Sequence, residues 1–552
     1  IFKIPHSKTG VIRGNLELDE GRIINGKPAS KGQFPWQVGV FFDLPSGRRF
    51  CGGSLISSRW VLTAGHCAKN ATNFVINLGS ITTDNEELGR VTVYTNKSIV
   101  HENYDNRYLN NDVALIDLGV DIGSNDYIKP IHLPSKGEVV GVNEQLEVSG
   151  WGITNDSGTV VNRDLNFVKL YSISNEECLN SFSPRFVIES TLCAVGNTTE
   201  SPCSGDSGGG LVKRQNGKSI HVGITSFVND AGCSLGIPTG YSRTESYLDW
   251  ISKHTGIKVL LQTKIAIVSV ITIMNAGVLS LLFAVTVCAL GAKVPYATPG
   301  FPEDVRKDTA KPEDRIINGN VASKGQFPWQ AIVYFYLTDG RHICGGSLIS
   351  SRYVLTAAHC ARNALRFVVS LGSITTATEE QGRVTVYTNK SIVHENYNTA
   401  NLNNDIALID LGVDIGSNDH IKPIRLPSKG DVVGVNRQLE VSGWGIVSDS
   451  GTVASRNLNY VQLHSISNSA CARLYGSSVI VSSTLCALGE TIESTCSGDS
   501  GGGLIKRENG EATHVGVVSF VNDAGCSLGA PSGYVRTESY LDWISSHTGI
   551  PV

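Results

Sequence analysis

Three short motifs carry the residue types needed to turn a hydroxyl into a nucleophile, and each of them occurs twice. Thr-Ala-Gly-His-Cys at 63–67, Asn-Asn-Asp-Val-Ala-Leu at 110–115 and Gly-Asp-Ser-Gly-Gly at 205–209 follow one another in the order His, Asp, Ser. Their counterparts lie at 356–360, 403–408 and 498–502. A serine hydroxyl is a poor nucleophile at neutral pH, so a base must take its proton during attack and must itself be held in one tautomer. Imidazole backed by carboxylate can do both. Each motif alone has a plainer reading: a histidine beside cysteine is usually a core residue, an aspartate before an apolar strand is usually a cap or turn, and Gly-Asp-Ser-Gly is a common loop. The shared order in two copies argues against coincidence.

The elements that position these residues are duplicated as a block. The segment 22–256 reappears at 315–549 with a constant offset of 293, carrying Ile23 to Ile316, Cys51 to Cys344 and Trp250 to Trp543 without insertion or deletion. A chain of 552 residues exceeds what one core usually organises, and a period this long marks duplication of a domain rather than a solenoid. Within each copy, short β-type runs at 73–78, 90–100, 113–118, 145–149, 165–172 and 220–228 are separated by Gly, Asn, Asp and Ser. That spacing predicts an all-β barrel or sandwich. Only the end reads as helical, where Tyr247, Leu248, Trp250 and Ile251 form an apolar face before Gly256.

The formal net charge is −4 with both signs interspersed, which gives no footing for nucleic acid or an anionic membrane. Thirteen cysteines divide into six per copy plus Cys288, an even set that predicts a disulfide framework with fifteen possible pairings per copy. Such a framework implies an oxidising, extracellular setting. Because the cysteines are spread along each copy rather than clustered with histidines, no metal site is expected. Asn-x-Ser/Thr triplets at Asn70, Asn96, Asn155, Asn197 and Asn389 are compatible with secretion.

Between the copies, residues 265–292 carry no charge and are long enough to span a bilayer. One span would place the two cysteine-rich copies on opposite sides of a membrane, against their common need for oxidising surroundings. A second reading starts at Met274, the only methionine, followed by an apolar run and the small residues Gly291 and Ala292, the layout of a secretory signal peptide. With the chain beginning at Ile1, this leads to the expectation that two neighbouring genes were joined in one reading frame. The expected organisation is a propeptide at 1–22, a domain at 23–257, the apolar linker at 258–292, a second propeptide at 293–315 and a second domain at 316–552. The propeptides are polar, proline-containing and read as flexible.

Over nearly the whole of both copies these motifs resemble the chymotrypsin-like serine protease family, nearest its insect and crustacean brachyurin-like members. The resemblance implies a secreted, zymogen-activated serine endopeptidase, each copy being two antiparallel β-barrels with a short C-terminal helix and needing no cofactor. Ser207 and Ser500 would be the nucleophiles, His66 and His359 the base and then the acid, and Asp112 and Asp405 the residues that orient them. Backbone N–H groups of Gly205 with Ser207, and Gly498 with Ser500, would form the oxyanion hole. Cleavage after Arg22 and Arg315 would free the amino groups of Ile23 and Ile316 to pair with Asp206 and Asp499. Disulfides would join Cys51–Cys67, Cys178–Cys193 and Cys203–Cys233, then Cys344–Cys360, Cys471–Cys486 and Cys496–Cys526.

The specificity pocket would have Ser201 or Ser494 at its floor, where a trypsin-like member has aspartate, so a buried cationic side chain would lack a counter-charge. Val228 and Thr239, or Val521 and Ser532, would form its walls in place of glycines. Small to medium apolar residues are the expected preference, with larger apolar ones admitted by the second pocket, rather than Lys or Arg. Ser226 and Ser519 would support the orienting aspartates, and Phe227 would line the cleft. Expected partners are protein substrates, an activating trypsin-like protease and protein inhibitors, with a membrane only if 265–292 is a real span. A non-catalytic homologue that binds without cutting is the alternative.

Overall fold

A computed structural model describes residues 10–11, 24–83, 86–158, 160–229, 231–260, 319–377, 379–449, 451, 453–522 and 524–552. Residues 261–292 of the apolar linker, Cys288 among them, and the residues flanking both proposed cleavage points, Arg22–Ile23 and Arg315–Ile316, lie outside that set. Among the described residues no helix is long and apolar enough to cross a membrane.

In the first copy the strands are β1 (Gly10–Val11), β2 (Lys27–Pro28), β3 (Gln37–Leu44), β4 (Gly47–Leu55), β5 (Trp60–Thr63), β6 (Phe74–Leu78), β7 (Val91–Thr95), β8 (Ser98–Val100) and β9 (Ala114–Asp117). They continue with β10 (Gln145–Gly150), β11 (Asn166–Ile173), β12 (Thr191–Val195), β13 (Gly210–Gln215), β14 (Lys218–Phe227) and β15 (Thr239–Arg243). Short helices α1 (Gly65–Ala68) and α2 (Asn175–Cys178) interrupt them, and α3 (Leu248–Thr255) ends the copy. The second copy supplies β16 (Asn320–Val321), β17 (Gln330–Leu337), β18 (Gly340–Leu348), β19 (Tyr353–Thr356), β20 (Arg366–Leu371), β21 (Val384–Thr388), β22 (Ser391–Val393) and β23 (Ala407–Asp410). After these come β24 (Gln438–Gly443), β25 (Asn459–Ile466), β26 (Thr484–Leu488), β27 (Gly503–Glu508), β28 (Glu511–Phe520) and β29 (Ser532–Arg536). Its helices are α4 (Ala358–Ala361), α5 (Asn468–Tyr475) and α6 (Leu541–Thr548).

Each copy holds two antiparallel sheets whose inward faces alternate along the strands. In β11 the side chains go buried, half-buried, buried, exposed along the run, the period of two that a strand with one wet face requires. The first sheet runs β7-β6-β3-β4-β5-β9-β8 and wraps Val38, Val40, Leu62, Ile76 and Leu115, each fully buried. The second runs β10-β13-β14-β15-β12-β11, and a β10–β11 ladder closes it into a six-stranded barrel around Val148, Leu170, Leu211 and Tyr241. The second copy repeats both sheets. Six disulfides, Cys51–Cys67, Cys178–Cys193, Cys203–Cys233, Cys344–Cys360, Cys471–Cys486 and Cys496–Cys526, staple them.

Four features depart from the sequence reading. The run at 90–100 is two strands, β7 and β8, broken at Asn96–Lys97. Helices precede the C-terminal one: α2 and α5 start on Ser174 and Ser467, whose side chains accept from the Glu177 and Ala470 amides. In the leader, Gly10–Val11 forms a strand against Phe50 and Arg49 of β4 rather than a structureless stretch. Finally, β7 pairs antiparallel with β21, so the first sheets of the two copies form one continuous sheet.

Candidate active site

His66 is placed by β5, which runs into the single turn of α1, and by the Cys51–Cys67 bridge, which ties the residue after it to β4. Asp112 lies just before β9, which pairs with β5, so the strand ladder brings the two side chains together. The Asp112 carboxylate is fully buried. Its Oδ1 accepts the His66 backbone N–H at 2.8 Å, and its Oδ2 accepts His66 Nδ1–H at 2.8 Å and the Ser226 hydroxyl at 2.6 Å. In the second copy the corresponding distances for Asp405 to the amide and ring of His359 and to Ser519 are 2.9, 2.8 and 2.6 Å. With Nδ1 donating, the lone pair falls on Nε2, and Nε2 of His66 is buried without a hydrogen-bond partner.

The serine loop is held by its backbone. Gly52 N–H donates to Ser207 C=O at 2.8 Å, Gly208 N–H to Thr225 C=O at 2.8 Å, and Gly209 N–H to Asp206 C=O at 3.0 Å. Thr225 adjoins Ser226, so one strand, β14, anchors both the serine loop and the carboxylate that orients the histidine. Gly205 and Gly498 have φ of +99° and +98°, the left-handed region where glycine is favoured. Among the described residues the N–H groups of Gly205, Ser207, Gly498 and Ser500 have no acceptor, although Gly205 and Ser207 are buried. Buried orphan N–H groups are rare, and a pair one residue apart is a ready donor site for an anionic oxygen.

Asp206 and Asp499 are fully buried, each accepting two backbone N–H bonds, from Gly152 and Cys203 and from Gly445 and Cys496. Burial pushes their carboxyls up to about 7 and about 6. Ile24 is buried, packs with Ile153 and the Cys203–Cys233 bridge, and forms a β-bridge with Ser201. Cys51, His66 and Cys67 also lie close enough to share a metal ion, but both sulfurs are committed to a disulfide and offer no thiolate.

Of the residues expected at the specificity pocket, Ser201 and Thr239 are buried side by side with their hydroxyls 3.3 Å apart. In both copies the serine donates to the next carbonyl, Ser201 to Pro202 at 2.9 Å and Ser494 to Thr495 at 3.0 Å, whereas Ser532 turns to Tyr534 OH at 2.8 Å. Val228 and Val521 are half-buried and rest on the Cys203–Cys233 and Cys496–Cys526 bridges. Phe227 is a correction to the sequence reading. Its ring is 3% exposed, packed against Phe182 and Phe186 with centroids at 5.1 and 6.0 Å, rather than open along the cleft. Phe520 is half-buried and packs edge-on against Tyr475, with ring centroids 5.1 Å apart.

One contact escapes sequence reasoning. Ser242 donates to the Asp112 carbonyl at 2.9 Å, a bond lost in the second copy, where Val535 stands. The sites also differ in cover: the His66 side chain is 9% exposed and that of His359 30%. For His359, burial opposes the charged ring, but the hydrogen bond and charge of Asp405 outweigh it and hold the imidazole above its ordinary value. A protonated base cannot accept, so hydrolysis by the second domain should fall as pH drops through a midpoint above 6.5. The pH profile of kcat/KM in a Ser207→Ala background measures this, and a midpoint below 6.5 contradicts it.

An imidazole held by a buried carboxylate and a serine loop with unfilled N–H groups recur in each copy, the Ser207 hydroxyl making no hydrogen bond to His66 Nε2, and with the family match that follows they mark a serine-type endopeptidase. The chain belongs to the Trypsin family, whose pattern matches residues 23–251 and again 316–544. Among its relatives, Collagenase of Hypoderma lineatum is 42% identical over 246 residues, covering 43% of this chain and 89% of its own length. Brachyurin of Leptuca pugilator is 37% identical over 235 residues, covering 43% of this chain and 99% of its own. Transmembrane protease serine 9 of Rattus norvegicus aligns over 95% of this chain at 27% identity, and the chain spans 50% of that protein's length.

Proposed function

We propose that each copy, the domains 23–257 and 316–552, hydrolyses peptide bonds by acyl transfer, with Ser207–His66–Asp112 and Ser500–His359–Asp405 as the working groups. Serine Oγ forms a bond to the scissile carbonyl carbon while its proton passes to histidine Nε2. The carbonyl oxygen takes up negative charge against the two N–H groups, and the C–N bond breaks as the histidine returns that proton to the leaving amine. Water then repeats the sequence on the acyl-serine, using the same base. The observation that carries the reading is the pair of unfilled N–H groups beside a histidine whose tautomer is fixed by a fully buried carboxylate. A fluorophosphonate probe should label Ser207 and Ser500 in the processed protein, and failure to label either would favour a binding role.

Activation and secretion belong to the same proposal. Cutting after Arg22 and Arg315 would deliver an ammonium group to Asp206 and Asp499, whose carboxyls otherwise resist ionisation in their buried niches. Six disulfides suit an oxidising compartment outside the cytosol. For specificity, the neutral floor at Ser201 and Ser494 and the side chains at Val228 and Val521 favour small to medium apolar residues over Lys or Arg. Profiling each activated domain on a peptide library should return Ala, Val or Leu before the cut, and dominant cleavage after Arg would overturn the pocket assignment.

A further inference from the structure

The contact between the two copies is built from the same residues on each side. Strand β7 meets β21 with Thr92 opposite Thr385, which are equivalent positions at the repeat offset of 293, and Val91 and Val93 face Val386 and Val384. Beyond the ladder, Gly89 N–H donates to Tyr387 C=O at 3.2 Å and Gly382 N–H to Tyr94 C=O at 2.9 Å. Tyr94 N–H donates to Arg383 C=O at 3.2 Å and Tyr387 N–H to Arg90 C=O at 3.4 Å. A second strip obeys the same exchange: Gly123 N–H to Asp414 C=O and Gly416 N–H to Asp121 C=O, both at 2.8 Å, flank an Ile122–Ile415 bridge. Every bond in this set has its mate under exchange of the copies, which is the signature of an isologous two-fold interface.

The charged contacts do not follow the exchange, because Arg366 stands where the first copy has Asn73. Glu379 takes a bidentate pair of hydrogen bonds from Arg48 at 2.5 and 2.8 Å, and its equivalent Glu86 lies 3.3 Å from Arg366. Gln381 donates to Asn73 at 2.8 Å. On these edge strands Thr92 and Thr385 are each only 4% exposed.

We propose that each protease domain carries a self-complementary docking face, the β7 or β21 edge plus the turn at 121–123 or 414–416, whose occupant is the same face of another such domain. The two domains therefore stay together as a non-covalent pair when the joint between them is cut. The glycines provide a clean test. A Cβ at Gly123 would meet Asp414 Cβ at 3.0 Å and one at Gly416 would meet Asp121 Cβ at 2.9 Å, and in both cases the three nearest atoms belong to the other domain. Leucine there obstructs the pairing while sparing each domain's own packing.

The experiment uses the full chain with a recognition site for a sequence-specific endopeptidase inserted after Gly300, which makes it independent of zymogen activation and of catalysis. After cutting, sedimentation velocity at micromolar protein should give one species holding both halves. The Gly123→Leu/Gly416→Leu double variant should sediment at half that mass with the activity of each domain retained. As a second measurement, Thr92→Cys/Thr385→Cys should link the cut halves in a non-reducing gel. Separation of the cut parent protein into single domains, or an unchanged mass for the leucine variant, would overturn the proposal, as would the absence of a cross-link.

Discussion

Replacing Ser207 with alanine is expected to abolish turnover by the first domain and leave the second untouched, and Ser500→Ala the converse. Removing the nucleophile in such a unit costs on the order of 10⁶-fold in kcat, because base and orienting carboxylate have nothing left to activate. The fold should be unaffected: the loop is held by main-chain bonds from Gly52 to the Ser207 carbonyl and between Gly208 and Thr225, none of which involves the hydroxyl. Hydrolysis of a small apolar ester, assayed for each single variant and for the double, measures it. A double variant that kept more than about a thousandth of parental turnover would remove Ser207 and Ser500 from their assigned role.

The second large effect is expected from Asp112→Asn and Asp405→Asn. The carboxylate accepts three hydrogen bonds at once, from the histidine amide, from Nδ1 and from Ser226 or Ser519. An amide in its place retains the shape but offers an N–H toward one of these donors, and the imidazole turns its lone pair to Nδ1. The proton then occupies Nε2, where the serine proton should go, and kcat should drop about 10⁴-fold with KM little altered. A loss confined to KM would mean that the aspartates shape binding rather than the tautomer. At pH well above neutrality, Asp405→Asn should remain impaired, because the fault lies in the proton's position on the ring and not in its net charge.

How much of this was legible in the chain depends on whether a residue acts through its neighbours in sequence or through contacts made on folding. His66, Asp112 and Ser207 stand in motifs whose local residues declare them, and the duplicated second set repeats the message. The fold class followed from short strands with alternating burial, as in β11. Boundaries suffered where two strands abut: β7 and β8 are separated only by Asn96 and Lys97, too few residues to break the apolar pattern. The position of Phe227 could not be read from its motif, since Phe182 and Phe186, which cover it, come from a loop more than forty residues away. Ser242 carries no local sign that its hydroxyl supports Asp112, and Val535 at the matching place confirms that the bond is dispensable to the motif itself. The joining of the copies was hidden for a similar reason: Val-Thr-Val-Tyr-Thr in β7 is written like any interior strand, and nothing in it says whether its outer edge meets water or protein.

That joined edge also limits how far assembly can go. An open strand edge is a template on which further chains can add, one after another, toward fibres. Here each edge uses up the other, and the two-fold relation directs both N–H rows inward, so growth in that direction stops at two. A protein kept at high concentration among its own copies would thereby be protected from polymerising along this strand by the same contact that holds its halves together.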